Sequence, residues 1–209
     1  MTRATPTLVA RLALLGFLAA IGLGAGVAHA DRRPALTPFE QDGKFGFKDR
    51  AGKVAVPAIY HRAEPFGRRP IAEVVDDQGL AWLDAHGRVV ARPFNFDNGP
   101  DAFVEGRSRI VDPAGKLGFL DERGQVVIPP RFTFVRPFAG GRAAFCVDCK
   151  SVPVGENHMI EGGRWGYIDL SGREVIAPTF DAAGDFDHGH AEVRRGDATT
   201  TIDRAGHRR

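Results

Sequence analysis

The sequence predicts an all-β protein: tandem antiparallel three-stranded β-meander repeats, stacked or propeller-like. Three observations carry this. An Asp-x-x-Gly marker preceded by alternating apolar residues returns at five places about one unit apart. Each copy is flanked by short runs of alternating apolar residues. Gly and Pro, 26 and 14 of 209 residues, punctuate the chain, and after Ala30 no long segment keeps a helical period.

The marker is read first. It occurs at Asp49 to Gly52, Asp84 to Gly87, Asp121 to Gly124, Asp169 to Gly172 and Asp203 to Gly206, so the glycines step by 35, 37, 48 and 34 residues. An Asp side chain accepts hydrogen bonds from the backbone two residues on. Gly takes the left-handed conformation that closes a short hairpin loop. Each marker is therefore expected to be a tight turn.

The strand before each marker comes next: Phe45-Gly46-Phe47-Lys48, Leu80-Ala81-Trp82-Leu83, Leu117-Gly118-Phe119-Leu120 and Trp165-Gly166-Tyr167-Ile168. Its first and third residues share one face. The second is always small, which suggests room for a side chain from the neighbouring unit. A second strand follows each marker (residues 53–56, 88–91, 125–128 and 173–177) and ends at Pro57, Pro93, Pro129-Pro130 or Pro178, since proline cannot donate to a ladder. An aromatic comes next (Tyr60, Phe94 and Phe96, Phe132, Phe180), then another (Phe66, Phe103, Phe138, Phe186), then a third strand at 72–75, 108–111, 143–147 and 191–194.

Trp165-Gly166-Tyr167-Ile168-Asp169, with Gly172, Val175-Ile176, Pro178, Phe180-Asp181, Phe186, Gly189 and Ala191-Glu192-Val193, resembles a near-complete WG repeat. In the other copies Phe45 and Leu117 replace Trp, and Leu80-Ala81 replaces Trp-Gly. The resemblance covers residues 43–206. It implies an interaction protein rather than a particular chemistry. The units fall near 43–77, 78–112, 113–147 and 164–197, with a partial fifth at 198–209 and an insertion at 148–163. One meander cannot bury its apolar face alone, so the repeats must pack on each other. Either the array is open with polar caps, or a ring closes with residues 36–39 and 199–202 completing one unit.

Residues 1–30 read as a secretory signal peptide: Arg3 and Arg11, an apolar run from Leu12 to Val27, then Ala28-His29-Ala30 with cleavage after Ala30. The run is shorter than the ~20 residues of a spanning helix, so no membrane anchor is expected after cleavage. Residues 31–42 form an N-terminal segment. The chain has 28 basic and 26 acidic residues, and losing Arg3 and Arg11 leaves 26 of each. A neutral protein lacks the sustained positive surface of a nucleic-acid binder. The expected location is periplasmic or secreted.

Cys146 and Cys149, the only cysteines, are expected to form a disulfide in that oxidising compartment. Thiol-disulfide exchange would need a helix N-terminus at the first Cys, and a strand precedes it instead. Metal binding has three candidate ligands there (Cys146, Cys149 and His158) and no fourth. His188 and His190 are a second weak metal pair, two apart and able to share one side of a strand. Asp recurring in every unit fits turns better than catalysis, and no nucleophile elbow, His-Glu-x-x-His helix or phosphate loop is present. The expectation is a non-enzymatic module without cofactor. It would bind an unidentified protein or envelope ligand through loops at residues 64–70, 98–105, 138–142 and 185–190, with the insertion adding individuality. The alternatives are an envelope hydrolase and a CxxC thiol-disulfide or metal-binding protein.

Overall fold

The computed structural model describes residues 36–95, 100–154 and 157–209, the side chains of residues 154, 157 and 158 excepted. The expected signal peptide, with its cleavage at Ala30, lies outside these residues.

The described chain is all-β and antiparallel, and it folds into five consecutive leaves. Leaf 1 holds β1 (Thr37–Gln41), β2 (Lys44–Lys48) and β3 (Val54–Tyr60). Leaf 2 holds β4 (Arg62–Ala63), β5 (Ile71–Asp76), β6 (Gly79–Asp84) and β7 (Val89–Pro93). Leaf 3 holds β8 (Arg107–Val111), β9 (Leu117–Asp121) and β10 (Val126–Phe132). The end of β7 also pairs with β8, Pro93 opposite Ile110, so leaves 2 and 3 share one seven-stranded ladder. Leaf 4 holds β11 (Phe134–Val135), β12 (Arg142–Val154), β13 (Asn157–Asp169) and β14 (Glu174–Phe180). Leaf 5 holds β15 (Ala182–Ala183), β16 (His190–Arg195) and β17 (Ala198–Asp203).

The leaves are offset from the sequence units. The third strand of each unit pairs with the first strand of the next: β5 with β6, β8 with β9, β12 with β13, β16 with β17. Every unit is thus shared between two leaves, and the ladder itself ties neighbouring units together.

Strand alternation explains the packing. In leaf 4, Ala143, Phe145 and Ile168 pack toward leaf 3, while Ala144, Cys146, Trp165 and Tyr167 pack toward leaf 5. Both faces are buried, so the strand reads as a continuous apolar run rather than an alternating one. One apolar cluster fills each interface between consecutive leaves: around Phe47 and Leu83, around Trp82 and Leu120, around Phe119 and Phe145, and around Tyr167 and Phe180. The third residue of the strand before each marker meets the second recurrent aromatic there. Phe47 lies on Phe66, Trp82 on Phe103, Phe119 on Phe138 and Tyr167 on Phe186, with ring centroids 4.8 to 5.8 Å apart. The second aromatic therefore clasps the preceding leaf, in edge-on or tilted geometry that rings favour.

The small residue of the Trp-Gly motif does not make room for a neighbouring unit's side chain. A Cβ on Gly166 would strike the backbone of Ile176, Ala177 and Pro178, and Gly46 and Gly118 face the same obstruction from Val56 to Ala58 and Ile128 to Pro130. The following strand bulges inward there, as the register shifts show. The turn glycines serve the inter-unit packing instead: Gly87 meets Val56, Gly172 meets Ile128 and Gly206 meets Ile176.

The outer face of leaf 5 exposes Glu192, Arg194, Thr199 and Thr201, while Ala191, Val193 and Ile202 are buried inward. That is a polar terminal cap. Among the described residues β1 pairs with β2 and β17 with β16. Residues 36–39 and 199–202 therefore do not complete a common unit.

Candidate functional site

Pairing register divides each leaf into two ends. At one end Ile71 faces Asp84, Arg107 faces Asp121, Arg142 faces Asp169 and His190 faces Asp203. The Asp-x-x-Gly turns and the loops entering the third strands lie together at this end. The opposite end carries the hairpin tips, including the continuation of β12 and β13.

The Asp turns share one geometry. In each, the N–H groups two and four residues on donate to the Asp Oδ1: Ala51 and Lys53 to Asp49, His86 and Arg88 to Asp84, Arg123 and Gln125 to Asp121, Ser171 and Arg173 to Asp169, Ala205 and His207 to Asp203. The glycines Gly52, Gly87, Gly124, Gly172 and Gly206 have φ between 79° and 84°. Asp112 to Gly115 makes the same turn, with Ala114 and Lys116 donating at 2.9 and 2.8 Å. Sequence reading missed it because it falls out of phase, at the opposite end of leaf 3. Hydrogen bonds from the Ser171 hydroxyl and from the Arg173 and Ser171 backbone hold the Asp169 carboxyl down to about 2, against an ordinary 3.8. A depressed carboxylate stabilises the fold above its unfolded value, and that contribution is lost as pH falls toward the folded value. Asp169→Asn is expected to melt about 2–4 °C lower at pH 7, the equivalent of about 1 kcal/mol. That gap should close as pH falls from about 4 to about 2 in a pH series of melting curves.

The entry loops are tight two-residue turns. Glu105-Gly106, Gly140-Gly141 and His188-Gly189 all have positive φ, each closed by a bridge from the residue before to the residue after. They interlock across leaves: Gly141 N–H donates to the Glu105 carboxylate at 2.9 Å, Arg69 pairs with Glu122 at 3.0 Å, and Arg136 with Asp185 at 3.0 Å. His188 occupies a turn position with φ 46° beside Asp187, while His190 faces Asp203 in the ladder. The two imidazoles do not sit on one strand, and among the described residues no group of three His, Cys, Asp or Glu is placed to hold a metal.

The inserted segment is a ribbon, not an irregular loop. Pairing runs from Arg142 opposite Asp169 to Val154 opposite Asn157. β11 reaches only Phe145 and Cys146, and β14 only Trp165 to Ile168. Beyond Val147 and Arg164 the ribbon is two strands wide, and it projects from the end opposite the entry loops. The recurrent loops and the insertion therefore do not line a common edge.

Cys146 and Cys149 are joined in a disulfide at the ribbon's root, with Cα atoms 6.0 Å apart. Three residues of extended strand would span about 10 Å. Asp148, with φ 58°, makes the kink that brings both sulfurs to one side, and Gly163 opposite has φ 72°. A Cβ on Gly163 would collide with the backbone of Val147 and Cys149, so glycine is required there twice over. Both cysteines are buried with Trp165 in the core shared with leaf 5. The bond closes a very short loop, worth about 2 kcal/mol in the chain-entropy account. Thiol titration of the denatured, unreduced protein should find no free thiol, and the double variant Cys146→Ser with Cys149→Ser should lose about that stability.

Between the ribbon root and leaf 5 lies a cleft of about 530 Å³. Its walls are Ile160, Glu161, Gly162 and Trp165 on the ribbon side, Ala182, Ala183 and Arg194 on the leaf 5 side, and Arg136 and Asp181 at the rim. Asp181 is held below the ordinary carboxylate range, first by the Gly196 N–H and then by Arg164 and Arg194.

The repeat described as "WG containing repeat" matches residues 45–78, 118–150 and 165–197. No curated protein matches the chain. Among solved structures, the crystal structure of BamB from Moraxella catarrhalis is similar at 13% identity and a TM-score of 0.28, over 86% of this chain and 73% of that chain. The unmatched second unit, with Leu80-Ala81 in place of Trp-Gly, still forms leaves of the same build. With three repeats matched, this chain belongs to the WG containing repeat family.

Proposed function

We propose that the protein is an exported, non-enzymatic interaction module whose recognition element is the β12–β13 ribbon with the cleft at its root. The observation that carries this is the contrast between the two ends of the leaves. At the entry-loop end, polar groups of Glu105, Gly141, Arg69, Arg136 and Asp185 are engaged by neighbouring leaves. At the other end, the ribbon extends past its flanking strands and exposes Val147 and Met159 at 40% and 49%. Repeat arrays use such departures from the common pattern for recognition. Export is supported by the charge, apolar run and Ala28-His29-Ala30 of residues 1–30, and by a disulfide suited to the periplasm or the exterior.

The test replaces residues 150–161 with Asn-Gly, which closes Cys149 onto Gly162 by a two-residue hairpin turn. Immobilised wild-type and shortened proteins are then compared in recovery from envelope extract. The proposal expects a partner retained by the wild type and lost from the shortened protein at unchanged melting temperature. Equal recovery by both would overturn it.

A further inference from the structure

We infer that the free edge of β13, from Asn157 to Gly163, takes up an extended peptide of a partner protein as an added β-strand. This rests on the ribbon being the recognition element and specifies how it recognises.

The backbone defines the occupant. A two-stranded ribbon satisfies one side of each strand, and the other side presents amide donors and acceptors at strand spacing. Only another strand offers the matching ladder, which is how strand addition gains its affinity. Among the described residues, the pairing of β14 begins at Trp165, so the whole stretch from Asn157 to Gly163 has β12 as its single neighbour.

The two edges differ. β12 carries Lys150 and Pro153 along its free stretch, the residue types that blunt an edge against unwanted pairing: a charge that resists burial, and a ring that removes a donor. Between Asn157 and Gly163 β13 has no Pro, and its acidic residue, Glu161, faces Lys150 across the ribbon. The β12 stretch therefore lacks a donor that the β13 stretch keeps.

The same stretch of β13 borders the cleft on its leaf 5 side. The 530 Å³ cleft is bounded by Ile160, Glu161 and Gly162 of β13 and by Ala182 and Ala183 of β15 across from them. β15 is itself a two-residue edge strand paired only to β16. The small Ala182, Ala183 and Gly162 leave space for a backbone. Ile160 and Trp165 line it with apolar groups, and Glu161 and Arg194 bring both signs of charge to it. Such a mixed lining suits a neutral main chain better than an anion or a cation.

The experiment selects random dodecapeptides displayed on phage against the purified protein. The enriched peptide is then synthesised in plain form and in two further forms, N-methylated at the odd or at the even backbone amides, which keep the side chains and each clear the donors from one edge. The plain peptide is expected to slow hydrogen exchange at residues 157–163, and one of the two N-methylated forms to bind at least about 10-fold more weakly. Met159→Pro and Ile160→Pro complete the test, since successive amides of a strand point to opposite edges. One of the two should leave the melting temperature unchanged and abolish peptide binding. Equal binding by the plain and both N-methylated peptides, protection elsewhere, no ribbon-dependent peptide in the selection, or protection of residues 157–163 by self-association alone would each overturn strand addition. Partner loss from the shortened protein combined with any of these would leave the ribbon as the recognition element and remove only this mode.

Discussion

Gly166→Val is expected to be among the most damaging single changes, costing about 3 kcal/mol or more and lowering Tm by about 10 °C, if the variant folds at all. The added Cβ meets the backbone of Ile176, Ala177 and Pro178 at no more than 2.9 Å. Backbone in a bulged ladder cannot swing aside as a side-chain tip can. Gly166→Ala should fall between, because the second unit carries a fully buried Ala81 at the equivalent place. Gly43→Ala is the control. Nothing lies within 4 Å of its Cβ, and only its φ of 74° opposes the change, for about 1 kcal/mol. Thermal melts of the four proteins check the order.

Arg109→Ala is expected to cost about 3–5 kcal/mol, because it strands a partner carboxylate in a dry interface. Arg109 is 5% exposed, in the middle of β8. Its Nε and Nη2 donate to the two carboxylate oxygens of Asp101 at 2.7 and 2.9 Å, and Nη1 donates to the Val135 carbonyl at 3.1 Å. The guanidinium also lies 4.7 Å from the centre of the Phe94 ring. One side chain thus ties the loop before β8, leaf 3 and leaf 4. Removing both charges with Arg109→Met and Asp101→Leu should restore most of the loss, because the price of burying an ion pair is then avoided. Urea denaturation of the single and double variants separates the two outcomes.

The repeated part of the fold was legible because each repeated residue answers a local demand. An Asp that caps a turn, a Gly at positive φ and an aromatic every unit leave the same mark wherever they recur. What was hidden depends on partners distant in sequence. The offset of leaves from units could not be read from the period, since shifting the boundary by one strand leaves the period unchanged. The Gly166 position looked like space for a neighbour, because the inward bulge at Pro178 appears only once the strands are paired. Asp101 lay in the loop at 98–105 and Arg109 in the third strand at 108–111, and nothing in the sequence joined them before β8 was folded against that loop. For the candidate site, the cysteine pair marked the root of the insertion, and the ribbon itself was not recognised. Three Gly, a Pro and several polar residues between 150 and 163 read as loop, yet Lys150 opposite Glu161 and Val152 opposite Met159 make a ladder. The Asp112 to Gly115 turn carries the same motif out of step with the period, so the period does not point to it.

The most direct test of the account is nuclear Overhauser spectroscopy of the purified protein across the inserted segment. A ribbon at the far end of leaf 4 predicts cross-strand backbone contacts between Lys150 and Glu161 and between Val152 and Met159, continuous with those between Ala144 and Tyr167. Random-coil shifts from 150 to 161 without such contacts would contradict it.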